Sequence, residues 1–307
     1  MDTSVDNYFE EEVRKKLIKG SVLEINDLSD KVFDAAVVHS MIFGFTAHAE
    51  ENHIVKVNTS SVLEVANVNI PQSFFEEQPQ TTFAIRTYGT NDLSQKLKKD
   101  SQKLVNVLDI RQAIKTGDDP YYITSEKLAE NFKPILRGKD VNKYSIRDPH
   151  LFVNYGKHLA CPRNHEIFEQ PKILIREAGA TITATLDEEN YYIMSSLYNA
   201  ILIDKEYSMR FLLGLINSKL FQYLMYKLTF EKTKGAFTKA KIFHYYELPV
   251  KMASAQEQQP IIDLVDAILA AKRQNPQADT TALEAQIDAL VYQLYDLTDE
   301  EIQLIEQ

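Results

Sequence analysis

The first third of the chain combines one helical pattern with short apolar runs. Apolar side chains recur about once per helical turn and predict a helix that Gly20 ends; they are Val5, Phe9, Val13 and Leu17. Runs of apolar, often β-branched, residues then predict strands at 22–25, 37–45, 54–57 and 62–65. A helix followed by strands can close an α/β sheet but cannot begin one, and no first strand with a glycine-rich turn precedes it.

Regular patterning fades over residues 69–104. Pro71 and Pro79 interrupt regular structure in its first half. Residues 91–104 are polar and charged and predict an exposed connecting helix. The main domain boundary is therefore placed near residue 105.

Short strands and one long helix are predicted between residues 105 and 250. The strands are expected at 172–176, 181–186 and 191–193, where β-branched and aromatic residues cluster. Apolar residues at helical spacing over 211–223 predict a helix of roughly four to six turns.

The last segment is helical and acidic. One apolar stripe runs from Ile261 to Leu269, and a second runs from Leu283 to Leu294. Asn275-Pro276 separates the two stripes, with Asp279 or Thr280 as the cap of the second helix. Thr298 and Glu301 have the spacing of a capping box for a last short helix. The sequence thus predicts an α+β fold that ends in a helical hairpin.

The charge of the chain is unevenly distributed. The formal net charge is −10, which by itself argues against nucleic-acid binding. Residues 1–107 hold 11 basic and 16 acidic side chains, whereas 251–307 hold 3 basic and 11 acidic. Residues 108–250 hold 20 basic and 17 acidic, a net charge of +3. The middle of the chain is therefore compatible with DNA binding.

Two classes of site find little support in the sequence. His158, Cys161 and His165 could bind a metal, but they lack a fourth ligand and a familiar zinc spacing, so solvated loop residues are the favoured interpretation. There is no G-x-G-x-x-G and no phosphate-binding loop of the Walker type. One cysteine, no signal peptide and no apolar run of membrane length predict a cytoplasmic protein that does not cross a membrane.

Several short strings, in order, resemble those of one enzyme family. Ala113–Gly117 is similar to a Gly-Ile-x-Thr-Gly opening, with Ala113 in place of glycine. Pro171–Arg176 is similar to a Lys-Pro-Lys-Ile-Leu-Ile-Arg strand, with Gln170 in place of lysine. Further similar strings lie at 135–144, 197–199, 215–220, 234–237, 247–259 and 292–301. The family is that of adenine-specific type II (IIG or IIS) restriction–modification enzymes with a TaqI-like specificity domain.

The resemblance implies how the chain is organised. Residues 1–68 would be the remnant of an α/β methyltransferase sheet, 69–104 a linker, 105–250 the DNA target-recognition domain and 251–307 the C-terminal helices. In the parent enzyme, a methyltransferase domain that uses S-adenosylmethionine would modify an adenine flipped out of double-stranded DNA. Whether the parent also cleaves DNA stays open.

Catalytic residues are not expected in this chain. Adenine methyltransferases need an Asn-Pro-Pro-Tyr type string, and the nearest match is Asp119-Pro120-Tyr121-Tyr122, which lacks the second proline. It is interpreted as a turn that enters a strand. No cofactor-binding loop is present either, so the chain is expected to be a fragment or a truncated product that needs the parent's methyltransferase domain.

The DNA-binding residues are predicted from basic side chains in loops. Gly138 and its neighbours offer close backbone approach to a phosphate, and arginine can pair bidentately with guanine or phosphate. The predicted contacts are Arg137, Lys139, Lys143, Arg176, Lys232, Lys234, Phe237 and Lys239. Solvated lysines and core aromatics at 223, 226 and 230 are the structural alternative.

Two other functions remain open at this point. The chain could be a stand-alone specificity subunit that recruits a separate methyltransferase. It could also be a scaffold that does not bind DNA and uses its acidic helices for protein contacts. DNA binding that depends steeply on salt would favour the specificity subunit over the scaffold.

Overall fold

The computed structural model describes residues 11–29, 40–59, 68–77, 91–229 and 238–306. Contacts within the chain divide it into two units, residues 1–94 and 95–307. Helix α3 (Asn91–Lys98) contains this division. The domain limits expected from the sequence stay predictions.

The first unit contains a four-stranded sheet in the order β2-β1-β3-β4. Strand β1 is antiparallel to β2 and parallel to β3, and β3 is antiparallel to β4. The elements are α1 (Glu11–Ile18), β1 (Ser21–Ser29), β2 (Ser40–Thr46), β3 (Ile54–Thr59), β4 (Val68–Pro71) and α2 (Gln72–Glu76). The predicted helix and the strands at 22–25 and 54–57 are confirmed where described; Val5, Phe9, 37–39 and 62–65 lie outside the described residues.

One buried polar side chain joins the helix and sheet of this unit. Gln72 accepts a hydrogen bond from the Val22 amide at 2.8 Å and donates to the carbonyls of Ile18 and Gly20 at 3.0 and 2.8 Å. The apolar side chains around it form the core: Leu17, Val22, Ile25, Val55, Val57, Ile70, Phe74 and Phe75.

The second unit begins with a segment that differs from the sequence prediction. Helix α3 (Asn91–Lys98) ends early, and Leu97 is buried. Strand β5 (Ser101–Lys103) then pairs with β18 (Pro249–Lys251). The helix predicted over 91–104 is confirmed for 91–98 and wrong for the remainder, because residues 101–103 form a strand whose partner lies almost 150 positions away along the sequence.

Two four-stranded sheets form the centre of the second unit. Their strand orders are β15-β8-β11-β7 and β14-β12-β16-β6. The strands are β6 (Leu108–Gln112), β7 (Ile123–Thr124), β8 (Phe132–Leu136), β11 (Phe152–Asn154), β12 (Lys172–Arg176), β14 (Ala184–Asp187), β15 (Tyr192–Ile193) and β16 (Leu197–Leu202). All three strands predicted between 172 and 193 are present, although β14 begins later than expected.

Smaller elements connect these sheets. Helix α4 (Asp119–Tyr122) leads directly into β7, which confirms the interpretation of this string as a turn entering a strand. Two further strand pairs complete the unit: β9 (Val141–Asn142) with β10 (Ser145–Ile146), and β13 (Ala178–Gly179) with β17 (Thr238–Lys239).

The single long helix predicted over 211–223 is two helices. Ser218 separates α5 (Met209–Asn217) from α6 (Lys219–Thr229). Its hydroxyl donates to the Leu215 carbonyl at 2.7 Å and accepts from the Phe221 amide at 3.3 Å, so it caps one helix and starts the next. The apolar spacing continues across this break, which is why the sequence pattern conceals it.

The remaining helices form a layer beside α5 and α6. They are α7 (Ile242–Tyr246), α8 (Ala255–Gln274), α9 (Thr281–Leu294) and α10 (Asp299–Glu306). Helix α8 packs against α5 and α9, and α6 packs against α9 and α10. The Thr298 and Glu301 capping box is present, with the Thr298 amide 2.7 Å from the Glu301 carboxylate. The mixed α+β architecture predicted from the sequence is therefore confirmed.

A buried ion pair fixes the register of the sheet that contains β12. Lys172 and Asp187 are directly paired across β12 and β14, their charged atoms are 2.6 Å apart, and both side chains are fully buried. The Lys172 ammonium also donates to the carbonyls of Phe168 and Gln170, and Asp187 accepts from the amides of Glu189 and Tyr191. Burial lowers the pKa of Lys172 and raises that of Asp187, while their attraction opposes both shifts.

Lys172→Met is expected to lower the free energy of unfolding by about 3–5 kcal/mol at neutral pH, because it leaves the Asp187 carboxylate buried without its counter-ion. The pKa of Asp187 is already raised in the folded state, and loss of Lys172 raises it further. The loss of stability should therefore shrink as pH falls through that raised pKa, since protonation removes the unpaired charge from the folded protein. Urea unfolding at neutral and mildly acidic pH measures both effects.

Lys103→Met is the matched control. Lys103 pairs with Glu247 at 2.7 Å, but more than half of each side chain is exposed, at 59% and 51%. Its loss should change stability by less than about 1 kcal/mol. Equal effects of the two substitutions would show that the buried pair has no special role.

Candidate nucleic-acid interface

Segments from four parts of the second unit meet at Met194–Ser196. The Ser195 amide donates to the Ile114 carbonyl at 2.9 Å. The Ser196 hydroxyl accepts from the Gly138 amide at 2.8 Å, and the Ser196 carbonyl accepts from the Glu177 amide at 3.0 Å. These bonds bring the loops that carry Lys115, Arg137 and Arg176 to one edge of the central sheets.

Gly138 packs closely against Ser196. A Cβ atom on Gly138 would lie 3.2 Å from the Ser196 carbonyl oxygen and 3.3 Å from the Ser196 Cβ. The close approach turns the chain, so that Arg137 and Lys139 leave the loop on either side of a buried glycine. The sequence predicts that a phosphate approaches the Gly138 backbone closely. In the structure the group at this position is Ser196.

Arg137 is oriented by an acidic side chain on a neighbouring loop. Its guanidinium lies 3.6 Å from the Asp119 carboxylate, and both side chains are partly exposed. The Thr116 hydroxyl donates to the other oxygen of Asp119, while the Asp140 carboxylate accepts from the Arg137 amide at 2.8 Å. Arg137 is therefore held at the surface with part of its guanidinium open to solvent.

Three more cations lie at this edge without a partner among the described residues. Arg176 ends β12, and its backbone amide donates to the Thr183 carbonyl, but its guanidinium has no hydrogen bond or ion pair there. Lys115 and Lys139 are exposed and equally unpaired in the described part of the chain. We call Lys115, Arg137, Lys139 and Arg176 the basic loop cluster. Lys115 was not singled out from the sequence as a contact, although it lies within the string Ala113–Gly117.

Lys143 takes a different position from the other predicted contacts. Its ammonium donates to the Asn217 carbonyl at 3.0 Å and lies 3.7 Å from the Glu284 carboxylate. These contacts orient the Lys143 ammonium towards α5 and α9, and its role as a DNA contact stays a prediction.

The remaining predicted contacts are described in part or not at all. Lys232, Lys234 and Phe237 lie outside the described residues. The backbone of Lys239 pairs with Ala178 in the short ladder of β13 and β17, two residues beyond Arg176.

The candidate metal ligands have other roles where the structure describes them. His158 stacks on Tyr122 with 5.1 Å between ring centroids, and the backbone of Cys161 pairs with that of Lys115. Within the described ranges, no group of three or more His, Cys, Asp or Glu side chains is arranged to hold a metal ion.

Acidic side chains of the C-terminal helices pair with lysines of the same unit. Lys96 lies 2.8 Å from Glu301, and Lys219 lies 2.9 Å from Glu306. Lys219 was counted among the basic residues of the recognition region, yet its charge is used to attach α10 beside α6. None of the described helices combines the length and apolar character needed to span a membrane.

Comparison with known proteins gives a family-model match over part of the chain and a structure with a similar fold. Residues 133–250 match the model of the TaqI-like C-terminal specificity domain. The fold is similar to that of the type IIL restriction-modification enzyme MmeI, solved in complex with DNA, with a TM-score of 0.54 and 11% identity over 93% of this chain and 45% of that one. The chain thus spans less than half the length of this neighbour.

Two other solved structures give weaker matches. The type IIG restriction endonuclease BpuSI matches with a TM-score of 0.46 and 12% identity over 93% of this chain and 45% of that one. The HsdS subunit from Thermoanaerobacter tengcongensis matches with a TM-score of 0.39 and 15% identity over 75% of this chain and 60% of that one. No curated protein sequence gives a significant match.

Lys143→Met is expected to lower the free energy of unfolding by about 1 kcal/mol, because Lys143 binds a carbonyl at the C-terminal end of α5. Lys139→Met removes the same charge from an exposed, unpaired side chain four positions earlier and should change stability by less than about 0.5 kcal/mol. Urea unfolding of both variants compares them directly. Equal stability of the two would remove the reason for assigning Lys143 to the helical layer.

Proposed function

We propose that residues 105–250, of which 133–250 match a TaqI-like C-terminal specificity domain, recognise a target sequence in double-stranded DNA for an adenine-specific restriction–modification methyltransferase. The observation that supports this most directly is the basic loop cluster, four cations that hydrogen bonds to Ser195 and Ser196 bring to one edge. Loops on a rigid scaffold are where binding residues concentrate.

The pairing of charges supports DNA as the ligand. Acidic helices use several basic side chains of the unit for ion pairs, including Lys96, Lys143 and Lys219. Lys115, Lys139 and Arg176 have no such partner among the described residues. A lysine or arginine that is not neutralised within the protein can neutralise a phosphate and release its condensed counter-ions. A chain of net charge −10 can therefore present a locally cationic edge.

The chemistry proposed for the whole system takes place elsewhere. A methyltransferase domain with bound S-adenosylmethionine would accept the flipped adenine, and this chain would determine where on the duplex that domain acts. The domain would belong to the same longer protein, with residues 1–68 as the end of its sheet.

The first test is the salt dependence of DNA binding. Replacing Lys115 and Lys139 together by Gln should reduce the slope of log Kobs against log salt by about 2, because each lost phosphate contact removes about 0.9. Fluorescence anisotropy with a labelled duplex, measured over a series of salt concentrations, gives the slope for both proteins.

A double variant with the same change in net charge is the control. Lys205 is exposed in the turn after β16, and Lys103 lies in β5, so Lys103→Gln with Lys205→Gln changes cations outside the basic loop cluster. This variant should keep the original slope. A wild-type chain whose binding does not respond to salt would instead favour a scaffold that does not act on DNA.

The second test concerns catalysis. The purified chain, supplied with radiolabelled S-adenosylmethionine and DNA, should transfer no label above background, because it lacks a glycine-rich cofactor loop and an Asn-Pro-Pro-Tyr string. An active adenine methyltransferase assayed in parallel is the positive control. Measurable turnover by the chain alone would contradict the division of roles proposed here.

A further inference from the structure

A cleft opens beside Arg176 between the loop that follows β12 and helix α6. Arg176, Glu177, Gly179 and Thr181 form one wall. Helix α6 and residues around α7 also line the cleft, with Gln222, Met225 and Tyr245 among them. The cleft belongs entirely to the second unit and includes one member of the basic loop cluster.

Three sets of hydrogen bonds hold the loop that forms this cleft. The Glu177 amide donates to Ser196 at one end. Ala178 and Gly179 pair with β17 in the middle. At the other end the Gln222 side chain makes two hydrogen bonds to the backbone of Ile182. Its oxygen accepts from the Ile182 amide at 2.6 Å, and its nitrogen donates to the Ile182 carbonyl at 3.1 Å. The loop therefore has a defined backbone before any ligand binds, which lowers the entropy lost on binding.

Two side chains of opposite charge occupy the wall without pairing. Neither Arg176 nor Glu177 has a side-chain hydrogen bond or ion pair among the described residues, and both are partly buried. A planar donor fork and a carboxylate acceptor therefore belong to consecutive residues that line one cleft, on a backbone that other residues hold in place. Neither charge stabilises the fold through a contact seen in the described structure.

We propose that Arg176 and Glu177 read the major-groove edge of a guanine–cytosine base pair, or of two adjacent pairs of this kind. Guanine presents two acceptors, O6 and N7, which match the arginine fork, and cytosine presents an N4 amino donor, which matches a carboxylate. This inference depends on the DNA-binding function proposed above and assigns to two residues a specificity role within it.

The carboxylate argues against a phosphate as the ligand of the cleft. Glu177 directly follows Arg176 in the chain and lines the same wall, so a phosphate bound to Arg176 would lie close to a second negative charge. A base edge that offers both acceptors and a donor uses both side chains. Phosphate contacts are left to the exposed lysines of the basic loop cluster.

The experiment selects bound duplexes from a pool with a randomised core, using the full 307-residue chain. The wild type should enrich a sequence with at least one fixed guanine–cytosine pair. Arg176→Lys keeps the charge but loses the fork, and Glu177→Gln keeps the size but loses the carboxylate. Each should lose the preference at that pair and bind the enriched duplex about 5- to 150-fold more weakly, with an unchanged salt slope.

Lys205→Gln is the control, because Lys205 follows β16 at the end opposite to Leu197, the partner of Arg176. It should keep the wild-type preference. Thermal unfolding of both cleft variants should match the wild type, which separates lost specificity from lost folding.

The outcomes distinguish this inference from the proposed function. A wild type without salt-dependent DNA binding overturns both. A wild type that enriches no sequence, or variants that keep the full preference, overturn the role of the cleft and leave DNA binding intact. Retention of the preference by Arg176→Lys together with a lower slope in Arg176→Gln would assign Arg176 to a phosphate and overturn the base-reading role.

Discussion

The register of β12 is the constraint on which the candidate site depends. Side chains alternate between the two faces of a strand, so a shift by one residue would move each of them to the opposite face. Lys172 and Asp187 oppose this shift, because only the observed pairing buries both charges against each other. Arg176 lies four residues further along the same strand, so its place at the loop edge follows from the pairing at the start of β12.

The second unit separates its charges between two regions. Acidic side chains of α9 and α10 attract Lys96, Lys143 and Lys219, and those contacts attach the helical layer. Lysines used in this way are not free for a ligand, whereas Lys115, Lys139 and Arg176 of the basic loop cluster have no partner among the described residues. A chain of net negative charge can thus present a cationic edge, because the basic residues that stabilise the fold are not the ones proposed to bind the ligand.

Local patterns predicted the elements better than the contacts between them. The helices of the last segment, the strand at 172–176 and the turn at Asp119–Tyr122 follow from periodicity and from turn residues close in sequence. The pairing of β5 with β18 was missed because its two halves are far apart in the chain. The break at Ser218 was missed because one hydroxyl serves two helices without interrupting the apolar spacing.

The candidate site shows the same limit at the level of single residues. Arg137 and Lys139 were identified as basic residues in a loop and Arg176 as the end of a strand, and hydrogen bonds to Ser196 bring the two segments together. Nothing local distinguishes Lys143 from Lys139, although one contacts Asn217 and Glu284 and the other is exposed. Glu177 was passed over because an acidic side chain argues against DNA contact until its place beside an unpaired arginine is known.

The side chains that hold the loop after β12 differ from those that the loop exposes to a ligand, and this difference affects specificity. Ser196, strand β17 and Gln222 hold the loop through hydrogen bonds within the protein. Arg176 and Glu177 are presented by that loop and have no partner in the described part of the chain. Substitutions at the presented positions can therefore alter which base edge is matched while the supporting contacts stay unchanged. Because three sets of hydrogen bonds fix the backbone of the loop, recognition can change without a change in the backbone.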